Sequence, residues 1–383
     1  MALKLARRGE ISPFIVMDVM RVAHERAAAG ESVLHLEVGQ PGTPAPKAVR
    51  EAAKKALDQE RLGYTDAIGI PPLRQRIVEH YRERYGVEVD AERVMVTPGS
   101  SGGFLLSFLA AFDPGDRVAL AAPGYPCYRN ILSAIGNEPV LLPVGPEERF
   151  QPTPEALDRV EGRLDGLIVA SPSNPTGTML DREAFARLIG YCEERGIRVI
   201  SDEIYHGISY GMAPVSALEL SAEAIVINSF SKYFSMTGWR LGWMVLPESL
   251  SRAVERLAQN LFISAPSLSQ VAAIAAFDCE AELDGHVAVY ARNRALLLRE
   301  LPEAGFDRLA PADGAFYVYA DVGRLTNDSQ DFCRRMLAET NVAITPGVDF
   351  DPERGHRFVR FSFAGAEAEI AEAATRLKDW LAR

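Results

Sequence analysis

From residue 94 onward, short runs of β-branched and other apolar residues alternate with longer stretches of helical periodicity. The apolar runs cover 94–97, 117–122, 139–143, 166–170, 198–202, 224–228 and 241–246, with helical patterns between most of them. Buried strands alternating with helices predict a mostly parallel sheet covered on both faces. The expected fold is therefore α/β, with a large domain whose seven-stranded, mostly parallel sheet is flanked by helices. Only about a dozen residues separate the last two runs, too few for a helical crossover, so the last strand is expected to run antiparallel.

The flanks follow other patterns. Phe14, Met17, Val22 and Ala29 recur among Arg21, Glu25 and Arg26, predicting a helix over 13–29; 33–38 reads as a strand. Helices are expected over 47–59 and 73–85, separated by a loop ending at Pro72. Residues 249–282 read as one long helical stretch interrupted at Pro266, followed by a basic helix over 287–301. Strands over 315–320 and 357–363 alternate with helices over 329–340 and 367–381, a smaller α+β domain. The pattern changes near residue 285, which places the domain boundary there.

Composition narrows the function classes. At 383 residues, 48% of them hydrophobic, the chain exceeds what one core usually supports, so two domains with a cleft between them are expected. With 52 acidic and 41 basic residues the formal charge is −11, which disfavours nucleic acid or an anionic membrane as partner. Cys127, Cys192, Cys279 and Cys333 are widely spaced, signalling neither a zinc site nor a disulfide framework, and fit reduced thiols in a cytoplasmic protein. No signal peptide is read after the basic start, and the longest apolar run, 104–112, is too short to span a bilayer. No metal site and no membrane contact are expected.

In an open α/β sheet, ligands bind beyond the C-terminal ends of the strands. The residues there are Pro98-Gly-Ser-Ser-Gly-Gly103, Pro123-Gly-Tyr-Pro126, Ser171 to Gly177, Asp202-Glu-Ile-Tyr205 and Ser229 to Arg240. Lys232 stands among serines and aromatics between two strands; a partly desolvated lysine amine suits imine chemistry, while a solvated surface lysine is the plain alternative. The Gly/Ser turn at 99–103 opens a helix, a geometry that offers amides to an anion or simply joins two elements. Asp202 closes an apolar strand and needs a partner there, either a cationic ring nitrogen or a structural arginine. Tyr205 and the Asn174 amide can donate to a ligand oxygen, and Tyr125 can lie on a planar ligand or pack in the core. Arg360 stands among phenylalanines and needs a bidentate anion, from a substrate or from the protein.

The combination Asn174-Pro-Thr-Gly177, Asp202-Glu-Ile-Tyr205, Ser229-x-Ser-Lys232 and Gly238-Trp-Arg240 resembles the class I/II aminotransferases, pyridoxal-phosphate enzymes of fold type I in the aspartate aminotransferase superfamily. The likeness runs over essentially the whole chain. It implies that Lys232 forms the internal aldimine with pyridoxal 5'-phosphate and shuttles the proton. It also implies that Asp202 pairs with the ring nitrogen, that Asn174 and Tyr205 bond the ring oxygen and that Tyr125 stacks on the ring. Ser100, Ser101, Ser229 and Arg240 would hold the phosphate. Arg360 would bind the substrate carboxylate, helped by Asn174 and the backbone at Gly39.

Tyr64 matches a tyrosine that reaches the phosphate of the neighbouring subunit, implying a homodimer with shared active sites. The likeness further assigns 1–38 to an N-terminal arm and part of the small domain, 39–284 to the cofactor-binding domain and 285–383 to the rest of the small domain. The expected reaction moves an α-amino group between an amino acid and a 2-oxo acid, with 2-oxoglutarate as acceptor. Two departures bear on the substrate. Gly39-Gln-Pro-Gly-Thr43 replaces the usual Gly-x-Pro-Asp-Phe, and no basic residue falls on a motif for a distal carboxylate, which favours neutral or apolar amino acids. A C–S β-lyase using the same cradle is the nearest rival reading. A non-catalytic cofactor-binding regulator is disfavoured by the missing basic DNA-binding footprint.

Overall fold

The structure, a computed structural model, describes residues 3–383. All seven anticipated strands form one sheet. In spatial order they are Val94–Thr97, Gly242–Val245, Ile225–Ser229, Arg198–Asp202, Gly166–Ala170, Arg117–Ala122 and Glu138–Pro143. Every pairing is parallel except those of Gly242–Val245, which runs antiparallel to both neighbours, as its short connection requires. Alternate residues feed two cores: Ile168, Ile200, Ile225 and Ile227 pack with Phe104 and Phe108, while Leu167, Val169, Val199 and Val226 join the larger core on the other face. Burial on both faces explains why these runs read as continuously apolar.

The helices Ile15–Ala28, Lys47–Gln59, Ser329–Thr340 and Glu367–Leu381 lie where periodicity puts them. Another, Pro71–Tyr85, begins before the expected start, because a proline in the first turn has no amide proton to leave unpaired. The stretch expected to be helical from 249 to 282 divides into Glu248–Leu261, Ser267–Ala273 and a 3-10 turn at Ile274–Asp278. Helix Glu280–Glu303 then runs without a break through residue 285 and packs on Glu367–Leu381 and on strand Tyr317–Asp321.

The C-terminal part holds a four-stranded antiparallel sheet ordered Thr345–Pro346, Phe358–Ser362, Tyr317–Asp321, Arg308–Leu309. Its two short members carry too little alternation to be read from sequence. The strand expected over 33–38 shrinks to Leu34–His35, because its parallel partner Val342–Ala343 has only two residues to offer. That pairing nevertheless ties the N-terminal segment to the C-terminal part. Among the described residues, no helix is long and apolar enough to cross a membrane.

Candidate active site

The C-terminal ends of the parallel strands open onto a cavity of about 570 Å³, lined by Lys232, Asp202, Asn174, Tyr205, Tyr125, Ser100, Ser101, Arg240, Gly39 and Arg360. The sequence-derived residues thus converge, with two exceptions treated below. Local networks fix the strand ends. His206 Nε2 donates to the Ser171 carbonyl (3.0 Å), which holds the Asp202 turn against the loop carrying Asn174. Burial pushes the His206 pKa down to about 3, keeping the ring neutral. Glu203 accepts from the Ala217 amide (2.8 Å) and the Ser216 hydroxyl (3.0 Å) on the other side of the same turn.

Asp202 is 4% exposed. Its Oδ1 accepts from the Ile204 amide (3.0 Å) and its Oδ2 from the Tyr128 hydroxyl. Burial raises its pKa to about 6, against the pull of those two hydrogen bonds and of Lys232. Lys232 Nζ donates to the Gly39 carbonyl at 2.6 Å and lies 5.9 Å from the centre of the Tyr205 ring. Burial, then the charges of Arg360 and Arg240, lower its pKa to about 8, so a sizeable share of the amine is neutral near physiological pH.

One end of the cavity is built for an anion. Helix Gly99–Ala111 begins there, with Ser100 and Ser101 in its first turn. Gly99 has φ +72°, and a Cβ on it would lie 2.5 Å from Arg240 Nη2, so the guanidinium rests against bare backbone. Gly242 is equally confined: a Cβ there would meet the Asn228 carbonyl at 2.8 Å and the Ser100 amide nitrogen at 2.9 Å. Ser229, expected here, lies off the wall. Its hydroxyl reaches Ser231 Oγ (2.9 Å) and the Leu241 carbonyl (3.1 Å), while the Ser231 amide donates back to it (3.1 Å). This local turn brings Ser231, together with Thr237, to the cavity instead.

At the other end Arg360 is 2% exposed. Nη1 donates to Asn174 Oδ1 (2.8 Å) and Nη2 to the Glu37 carbonyl (2.5 Å), leaving the Asn174 NH2 group free to donate. The guanidinium carbon lies 4.3 Å from the Tyr317 ring centre and 4.7 Å from that of Phe350. Tyr205 and Tyr317 share a hydroxyl hydrogen bond of 2.6 Å. The Tyr125 ring meets Tyr128 and Phe14 edge-on. The remaining wall is mostly apolar: Phe14, Val16, Met17 and Met20 from the start of helix Ile15–Ala28, and Val38, with Gln40 as a polar member. Asp349 anchors that helix start by accepting from the Ile15 (3.1 Å) and Val16 (3.0 Å) amides.

Tyr64 is the second exception: it is 85% exposed and outside the cavity. Sequence reading missed Tyr128 and Tyr317. Tyr128 carried a signal, since it follows Tyr125 by three residues on a helix opened by Pro126 and so shares its face.

The sequence model of the family described as aminotransferase class I and II matches residues 31–377. The chain belongs to that family. It is 53% identical, over 99% of its length and 98% of the relative's, to the valine–pyruvate aminotransferase of Mycobacterium tuberculosis. It superposes with TM-score 0.98 and 52% identity on an aminotransferase structure from the same organism, each chain covered completely. The aspartate aminotransferase of Thermus thermophilus with maleate matches with TM-score 0.92 and 31% identity, over 99% of this chain and 100% of the other. The molecule is thus a pyridoxal-phosphate-dependent aminotransferase of fold type I. The cavity suits that cofactor chemically. Asp202 and Arg360 are buried charges without an opposite-charge contact among the described residues, and buried charges need partners; Arg240, exposed at the rim, adds a cation beside the helix start.

Proposed function

We propose that this aminotransferase exchanges amino groups between small neutral or apolar amino acids and 2-oxo acids, with valine and pyruvate as a matching pair. The supporting observation is the apolar wall of Phe14, Val16, Met17, Met20 and Val38. The cavity's cations are Lys232, Arg240 and Arg360, each with another task, so a distal carboxylate has no cationic partner on this wall. That argues for pyruvate over the initially expected 2-oxoglutarate, and the activity for which the M. tuberculosis relative is named agrees.

Pyridoxal phosphate, when bound, supplies an electron sink for the pair left at the substrate α-carbon. Arg360 and the Asn174 NH2 group bind and orient the substrate carboxylate. The Asp202 carboxylate keeps the proton on the ring nitrogen, and Tyr205 with Asn174 donates towards the ring oxygen. Tyr125 covers the ring and excludes water from one side. Ser100, Ser101, Ser231, Thr237 and Arg240 hold the phosphate. Lys232 Nζ takes the proton from the substrate α-carbon and returns it on the cofactor side, as a base of lowered pKa can. Two domains, divided as 1–38 with 285–383 against 39–284, would close over the substrate. Tyr64, too exposed to serve its own chain, fits a homodimer in which it reaches the partner's phosphate. A cytoplasmic setting agrees with four free cysteines.

A panel of amino donors against pyruvate and 2-oxoglutarate tests the reading. Valine or alanine with a monocarboxylic acceptor is expected to exceed aspartate with 2-oxoglutarate by roughly 10²-fold in kcat/KM, the effect of one unpaired charge. A preference for the dicarboxylic pair, or pyruvate released from a β-substituted substrate without amino transfer, would sink it. A fully active monomer in sedimentation equilibrium would remove the shared-site proposal.

A further inference from the structure

Tyr317 and Tyr319 project from the same face of their strand. Tyr317 lines the active-site cavity, whereas Tyr319 lines a second one of about 700 Å³, a size usual for small-molecule sites. The second cavity is walled on one side by residues that follow strands of the large sheet, including Pro123 and Phe150, and on the other by Arg308, Arg354 and Arg357 of the C-terminal part. Its floor is aromatic: Tyr319 and Phe358 stack at 4.9 Å and 2°, and the buried Tyr319 hydroxyl has no hydrogen-bond partner among the described residues.

Charge on the wall is unbalanced. Arg308 (3.5 Å) and Arg357 (2.9 Å) share the single carboxylate of Asp321, while Arg354 has Asp351 (2.8 Å) and Arg149 has Asp313 (2.6 Å) to itself. Four guanidinium groups therefore face three carboxylates, one positive charge in excess beside a flat apolar floor. We propose that this cavity binds a small monocarboxylate with an aromatic or branched apolar body, and that its occupancy acts on Arg360.

The contacts between the two cavities are continuous. Phe350 meets the Tyr319 ring edge-on (6.3 Å, 90°), and the same Phe350 ring carries the Arg360 guanidinium at 4.7 Å. The Phe350 carbonyl accepts from the Gly124 amide (3.0 Å), next to Tyr125. Arg354 also spans the seam, donating to the carbonyls of Ala122 and Val144. An occupant wedged against Tyr319 and Arg354 thus bears on both the carboxylate clamp and the ring-covering tyrosine, as a coupling between sites requires.

Holoenzyme crystals soaked in 3-(4-bromophenyl)propionate test the site, because bromine marks the bound position by anomalous scattering. Bromine is expected at Tyr319 and Phe358 in addition to any at Arg360. Equilibrium dialysis of the same probe is expected to give a site that persists in Arg360→Gln and weakens roughly tenfold in Arg308→Gln, the loss of one charge-assisted contact. Arg308 is half exposed, so that variant is expected to fold and turn over normally. In kinetics the probe is expected to inhibit partially, levelling off above zero, and to lose this component in Arg308→Gln. Bromine at Arg360 alone, binding unchanged by Arg308→Gln, or purely competitive inhibition would each overturn the proposal.

Discussion

The hydroxyl of Tyr317 occupies the space that a side chain at residue 39 would need: a Cβ on Gly39 would lie 1.8 Å from it. The same hydroxyl bonds Tyr205 at 2.6 Å, and the Gly39 carbonyl receives Lys232 Nζ at 2.6 Å. A glycine, a lysine and two tyrosines therefore share one tightly packed contact. Gly39→Ala must displace Tyr317 and is expected to lower kcat/KM by about 10²-fold, the usual result of misplacing groups by about an ångström. Gly39→Ala combined with Tyr317→Phe should cost less than the sum of the single changes. Strict additivity would mean that the clash is relieved elsewhere.

Lys232→Ala is expected to abolish the absorbance of covalently held cofactor and to reduce turnover by at least about 10³-fold. Absorbance spectra and single-turnover rates check this together, and an active variant would remove Lys232 from the chemistry.

Arg360→Gln keeps a donor but loses the charge, and is expected to reduce kcat/KM for amino acids by about 10²- to 10³-fold. The loss should fall on KM before kcat. An unchanged KM would place the substrate carboxylate elsewhere.

Asp202 couples stability to pH. Burial lifts its carboxyl from 3.8 to about 6, so the folded chain favours the protonated acid. That contribution is complete below about pH 4 and is lost as pH rises through 6. Above pH 6 the buried carboxylate is a cost, which a neutral amide avoids. Asp202→Asn apoenzyme is therefore expected to be more stable than wild type at pH 7.5, by at most about 3 kcal/mol, with no gain at pH 4. Denaturant titrations at the two pH values give the comparison; equal differences at both would refute the linkage. Cofactor affinity should fall in the same variant.

Tyr128→Phe removes a hydrogen bond that lowers the Asp202 pKa. The acid limb of cofactor binding is expected to move up by about one pH unit, the effect of one hydrogen bond to a charged group. An unmoved limb would show that the phenol only packs.

Much of the site was legible because it follows from topology. Parallel strands place Asp202, Asn174 and Tyr125 at one edge whatever the packing, and the lysine turn follows the adjoining strand. Arg360 was legible as a cation among phenylalanines. Tyr317 was not, because its bond to Tyr205 joins strand Tyr317–Asp321 to the turn after Arg198–Asp202 across 112 residues of sequence, and no local period encodes that. Ser231 lines the cavity and Ser229 does not, because the turn folds back so that the Ser231 amide donates to the Ser229 hydroxyl, which no local sequence pattern encodes. The short strands Arg308–Leu309 and Thr345–Pro346 exist only because Tyr317–Asp321 and Phe358–Ser362 offer them edges.

The reversed strand has a consequence for how the chain is made. Val94–Thr97 lies at the sheet edge, and its one strand partner is Gly242–Val245. A ribosome therefore delivers Val94–Thr97 and the apolar helix behind it long before the strand that will cover them, and an unpaired apolar edge is open to misassociation until then. Arg240 and Gly242 emerge at the end of that wait, so the anion end of the cavity is completed only then, and a nascent chain stalled short of residue 240 would leave it without its arginine.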